Sequence, residues 1–202
     1  MRKLMYGLGI LAAAAMFAAT SPNTTAALDG SAHDFENGGG ELTGEAEMCQ
    51  PCHIPHGGDT ASGAPLWSHD PTVATFTPYT STSLNATVGQ PNGISKLCLS
   101  CHDGTVGLDS YDSVASPNGL KMTGTANVGI DLRNDHPVSF TYDATLSSAD
   151  GGLNDPSGLG AYLFSGKVEC SSCHDVHNEA GEASLLRETN AGSALCLKCH
   201  NK

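Results

Sequence analysis

Basic residues are scarce in this 202-residue chain: nine Lys and Arg stand against twenty-one Asp and Glu, a formal net charge of −12. So acidic a surface disfavours nucleic acid and anionic lipid, which need positive charge facing them. It leaves basic proteins and metal cations as compatible partners, and equally fits a plain hydrated surface. Large side chains are scarce too, with Trp, Tyr and Phe at 5% of the chain. Few stretches hold a sustained helical or alternating apolar period. A chain this poor in bulky residues must bury something other than its own side chains or stay unfolded. Beyond residue 27 the only methionines are Met48 and Met122, and no cysteine precedes Cys49, which argues against a lipid-anchored N-terminus. No apolar run reaches the roughly 20 residues of a comfortable transmembrane span.

What the N-terminus does have is a three-part export layout. Arg2 and Lys3 precede an apolar, Ala-rich run from Leu4 to Ala19, and small or polar residues lead to Thr25-Ala26-Ala27. Thr25 and Ala27 suit the −3 and −1 positions of a signal-peptidase site. The expectation is a signal peptide over residues 1–27 and a mature domain over 28–202, without a membrane span and placed in the periplasm or at the cell surface. The mature part keeps seven basic residues against twenty-one acidic ones, a balance of −14.

The eight cysteines fall into four pairs with the same ending and none left over. They are Cys49-x-x-Cys52-His53, Cys98-x-x-Cys101-His102, Cys170-x-x-Cys173-His174 and Cys196-x-x-Cys199-His200. Two thiols three positions apart can add to the two vinyl groups of one haem, and the next residue then sits beneath the iron as its proximal ligand. Disulfides would suit an exported chain, but they have no need of a following histidine. Four chance matches are on the order of one in 10⁵ to 10⁶. Zinc would normally consume two such pairs per ion. The expectation is four covalently bound haem c groups, which would supply the missing apolar core.

Five histidines remain for the opposite faces of four irons: His33, His56, His69, His136 and His177. Met48 abuts Cys49 and is badly placed, so paired histidines at all four irons are favoured, and such haems sit lower in potential than His/Met ones. His56 and His177 each stand three residues after a proximal histidine. Neither can fold over the haem its neighbour holds, but each can reach an adjacent one. His136 lies in Asn134-Asp135-His136-Pro137, where Asp135 could orient the imidazole. His33 and His69 compete for the fourth place, with His33 preferred.

The chain repeats itself. Cys49 to His56 is followed by Ala64-Pro65-Leu66-Trp67 and the second motif; Cys170 to His177 is followed by Ala183-Ser184-Leu185-Leu186 and the fourth. The doubled units are 49–102 and 170–200, joined by a Gly- and Asp-rich connector over 103–169. The first unit carries a Thr- and Ser-rich insertion around 68–93 that reads as loop. One strand is predicted over Val138–Tyr142, and short helices are predicted to end at the motifs. If each unit is self-contained, His177 serves the haem of Cys196 and Cys199, and His56 that of Cys98 and Cys101.

Cys-His-Ile-Pro-His-Gly at 52–57, Ala-Pro-Leu-Trp at 64–67, Leu-Cys-Leu-Ser-Cys-His-Asp-Gly at 97–104, Asn-Asp-His-Pro-Val at 134–138 and Leu-Cys-Leu-Lys-Cys-His-Asn-Lys at 195–202 together resemble the doubled Cys-x-x-Cys-His domain of multihaem c-type cytochromes. The resemblance implies a mostly irregular, haem-cored fold with a few short helices and little strand, and a histidine pair on each iron. Within that group the chain is similar to tetrahaem cytochromes that polymerise into extracellular filaments. In those, a distal histidine near the mature N-terminus is lent to the next subunit, and His33 matches that position. The functional expectation is an electron carrier, not an enzyme, serving redox partner proteins or extracellular acceptors, with a homopolymer in view. An oxidoreductase acting on an inorganic ion is the alternative. A third class, a haem-stabilised structural or binding protein, has nothing specific in its favour.

Overall fold

The computed structural model describes residues 28–37, 41–42, 47–60 and 63–201, so the expected signal peptide lies outside the described residues. The architecture is mostly irregular, as the resemblance implied. Its elements are α1 (Gly93–His102), β1 (Phe140–Thr141), α2 (Ala144–Asp150), β2 (Lys167–Val168), α3 (Cys170–Cys173) and α4 (Cys196–Cys199), with five single turns of 3₁₀ helix between them.

Apolar side chains gather in two small clusters among the described residues. Phe140, Tyr142, Leu146, Leu159 and Val168 form one; Phe76, Leu99 and Leu132 form the other. A domain of this length ordinarily builds one contiguous core of many residues. Eight buried side chains in two patches are too few, in keeping with the shortage of aromatics.

The predicted strand is present but short. Phe140 pairs with Val168 and Thr141 with Lys167, antiparallel, while Ser139 before it adopts a left-handed conformation (φ 61°) that ends regular pairing. Tyr142 then donates its hydroxyl to the carbonyls of Asn154 (2.9 Å) and Cys199 (3.0 Å), tying this patch to the last motif. The insertion over 68–93 is irregular up to the start of α1, as expected, but not loose. The Gln90 side-chain amide mimics a strand neighbour for Phe76, accepting its N–H (2.8 Å) and donating to its carbonyl (2.9 Å). Thr72 is fully buried and donates to Asp103 at 2.5 Å.

Helices end at three of the four motifs: α1 contains Cys98 to His102, and α3 and α4 end at the cysteine before His174 and His200. Cys49–His53 closes only a single turn, with the His53 N–H on the Cys49 carbonyl at 2.9 Å. Pro51 inside it has no N–H to extend a helix. No helix among the described residues is long and apolar enough to cross a membrane.

Candidate haem-attachment sites

The repeat read from the sequence is a structural repeat, and its purpose is visible at two histidines. After Cys49–His53 the chain returns so that the Ile54 N–H meets the Leu66 carbonyl (2.9 Å) and the Ser68 N–H the Cys52 carbonyl (3.0 Å). After Cys170–His174 the Asp175 N–H meets Leu185 (2.7 Å) and the Arg187 N–H meets Cys173 (2.9 Å). In the first copy the return brings the Pro65 carbonyl to Nδ1 of His53 at 2.7 Å. In the second it brings the Ser184 carbonyl to Nδ1 of His174 at 3.0 Å. Leu66, Ser184 and Leu185 pay a left-handed backbone for that turn. Gly58 is needed for it as well, since a Cβ there would lie 2.5 Å from the Leu66 carbonyl carbon.

His102 is held in the same way by a different segment, its Nδ1 on the Ala126 carbonyl at 2.8 Å. His136 Nδ1 meets the Pro137 carbonyl at 2.9 Å. Asp135 therefore does not orient that ring. Anchoring Nδ1–H on a carbonyl fixes the tautomer and leaves Nε2 with its lone pair for a metal. These carbonyl partners were not read from the sequence. The doubled Ala-Pro-Leu-Trp and Ala-Ser-Leu-Leu segments were the available signal.

Three pairs of imidazoles face one another at one spacing. His33 and His102 have ring centroids 6.2 Å apart, His53 and His177 6.3 Å, and His136 and His200 6.3 Å. Their planes differ by 48°, 15° and 76° respectively. An imidazole nitrogen sits about 2 Å from a bound metal, so two rings on opposite faces of one haem iron have centroids about 6 Å apart. The spacing fits haem iron, and each pair contains the histidine of one motif.

The pairing corrects the expectation of self-contained units. His177 faces His53 of the first unit, not His200, and His102 faces His33, not His56. His56 is exposed, and no other imidazole among the described residues faces it or His174. His69 is 2% exposed with Nδ1 on the Asp70 carbonyl (2.9 Å) and Nε2 on the Gly107 carbonyl (3.0 Å). A neutral ring can donate to only one of these two carbonyls, and no other imidazole among the described residues faces it.

The His33 segment is tied down by its own hydrogen bonds and by burial on either side. Asp34 is buried and accepts the N–H groups of Gly30 (2.8 Å) and Asn37 (3.0 Å), closing a turn around His33. Leu28 and Leu42 are buried on either side, and Glu41 accepts from the N–H of Thr123 at 3.0 Å. Burial, with His102, His174 and His177 nearby, pushes the pKa of His33 down to about 4. The ring is thus neutral at pH 7, the form that binds metal.

No disulfide joins any of the eight cysteines. Burial pushes Cys52 up to about 11 and raises Cys101, Cys173 and Cys199. Among the described residues no group of three or more His, Cys, Asp or Glu is arranged to hold a metal ion by itself. The facing histidines come in pairs, which would suit a haem iron whose porphyrin supplies its other four donors.

Residues 164–202 match the family model of the doubled CXXCH motif. No curated protein matches the chain at a significant level. The matched segment holds Cys170, Cys173, His174, Cys196, Cys199 and His200, and a doubled CXXCH motif is consistent with an electron-transfer cytochrome that binds haem c covalently.

Proposed function

We propose that the protein is an exported tetrahaem electron carrier whose irons are each closed by two histidines. The observation that carries this is the common spacing of His33–His102, His53–His177 and His136–His200. Haem supplies one-electron chemistry; the chain supplies the ligand pairs and holds them on rigid turns. An iron closed on both faces has no place for a substrate, which favours a carrier over an enzyme. The acidic surface favours a basic redox partner or an extracellular metal acceptor.

The fourth iron decides whether copies join. His174 is anchored through Nδ1 and has no imidazole opposite it among the described residues, while His56 is exposed and unused. Our reading is that His56 of one copy closes the iron over His174 of the next. A contact of that kind, between two different surfaces, propagates as a filament when its rotation does not close into a ring. The sequence resemblance implied His33 as the lent ligand; because His33 faces His102 of its own chain, our reading gives that role to His56. The same observation favours a second reading: an iron left open over His174 would suit an oxidoreductase acting on a small inorganic ion.

Intact mass, ferric electron paramagnetic resonance and particle size test the set together. The carrier reading expects four haems, all low-spin, with wild-type protein forming long assemblies. His56→Ala should give subunits with one high-spin haem, and His33→Ala one high-spin haem in assemblies of normal length. A monomeric wild-type protein with one high-spin, carbon monoxide-binding haem supports the enzyme reading. A mass without haem defeats both.

A further inference from the structure

A buried polar network surrounds Glu169, and no candidate haem-ligating histidine takes part in its hydrogen bonds. Glu169 is 3% exposed. Its carboxylate accepts the Ser95 N–H (3.2 Å), the Ser95 hydroxyl at very short range, and the Ser139 hydroxyl (2.9 Å). It also takes the Ser172 N–H in a capping box, and the Ser172 hydroxyl accepts the Glu169 N–H at 2.9 Å. Every donor is neutral. Lys167, two residues away, sends its ammonium to Asn92 instead, at 2.7 Å, and neither ion pair of the described residues includes Glu169.

The network joins two haem-attachment helices. Asn92 occupies the N-cap of α1 but makes no capping bond with its side chain, and Glu169 caps that helix from another segment through Ser95. The same carboxylate caps α3, its own helix. Ser95 completes the clasp by accepting the Cys170 N–H at 2.9 Å. Just beside it the thiols of Cys98 and Cys170 lie within hydrogen-bonding reach of each other. These are the first cysteines of the second and third motifs, so the attachment points of two haems meet at one buried carboxylate.

We propose that Glu169 sets the potential of the two haems attached at Cys98 and Cys170, holding both couples low with a buried charge. This rests on the reading that both motifs carry haem. Each couple gains one electron on reduction, and no bond forms or breaks. A fixed negative charge disfavours that gain, and does so strongly where water and counterions are excluded. Only donors face the carboxylate: first-turn N–H groups of α1 and α3 and the serine hydroxyls. An uncompensated buried carboxylate is costly, and two neutral residues could have capped the same helices. Its place at the thiol junction gives the charge a role that capping alone does not require. Glu169 is a positioning and tuning residue: it clasps α1 to α3 and biases both irons toward the ferric state.

The test is a redox titration of haem-loaded Glu169→Gln, followed by optical spectra and by nuclear magnetic resonance of the haem methyl groups. Two of the four couples should move positive, by about a tenfold change in the ferrous-to-ferric ratio at fixed potential, or about 59 mV. The other two should stay in place, and Glu169→Asp should restore the wild-type values. Four loaded haems with no couple moved, or all four moved equally, overturns the proposal. Should Glu169→Gln fail to load haem, Ser139→Ala reads the same relation. It keeps the charge but removes one dipole that offsets it, so the same two couples should move negative, and their staying put overturns the proposal. A wild-type mass lacking haem at Cys98 or Cys170 defeats the haem reading itself and this proposal with it.

Discussion

The imidazoles of His53 and His177 stack with centroids 6.3 Å apart and planes 15° from parallel, although they belong to opposite copies of the repeat. The two copies are therefore interlocked. On the proposed reading a histidine that follows the third motif would serve the haem of the first.

That interlocking predicts the outcome of His177→Ala. One iron should become high-spin in the ferric protein and bind carbon monoxide in the ferrous protein. The affected haem should be the one attached at Cys49 and Cys52. Combining His177→Ala with Cys49→Ala and Cys52→Ala should remove one haem by mass and the high-spin signal with it. Persistence of the signal in the triple variant would assign His177 to another motif.

Asp34 predicts a graded version of ligand loss. Its carboxylate closes the turn that presents His33 to His102. Asp34→Ala should cost about 1–2 kcal/mol, the usual value of a lost carboxylate cap. It should also leave the second haem a mixture of high- and low-spin forms by paramagnetic resonance. A fully low-spin spectrum would show that His33 is held by other contacts.

Gly58 predicts a steric effect. A methyl group at that position meets the Leu66 backbone at 2.5 Å, so Gly58→Ala must push the returning chain away. The Pro65 carbonyl should then lose its hold on His53. We expect a loss of about 1–3 kcal/mol in thermal unfolding, the range of overpacking. The first haem alone should show a disturbed spectrum.

Tyr142 predicts an alkaline limit. Burial, with Cys199 and Asp150 nearby, raises its hydroxyl to about 12, above the unfolded value of about 10. The protonated form is the one the fold prefers, because it donates to the Asn154 and Cys199 carbonyls. Its contribution is therefore whole below about pH 10 and is lost as pH rises toward about 12. Tyr142→Phe should lose about 1 kcal/mol at pH 7 and lack this tyrosine's slope. Denaturant titrations of both proteins between pH 8 and 12 check it, and parallel curves would count against the assignment.

The covalent frame was legible in the sequence because its geometry is local. Two thiols and an imidazole at i, i+3 and i+4 lie within about one helical turn, so spacing alone implies one haem per motif. The repeated Ala-Pro-Leu-Trp and Ala-Ser-Leu-Leu segments were legible for the same reason, since each returns within a dozen residues to the motif it supports. The family resemblance implied a fold with little regular structure, and the structure has one. Which imidazole faces which is another matter. His33 meets His102, His53 meets His177 and His136 meets His200 across long stretches of chain, and His69 is taken by carbonyls of Asp70 and Gly107. Only the tertiary structure decided these, because a ligand pair depends on where distant segments cross, and one-dimensional order carries no record of crossing. Glu169 belongs with them: in sequence it is one acid before a cysteine, and only the packing of α3 on α1 brings two helix N-termini and the side chains of Cys98 and Cys170 to its carboxylate.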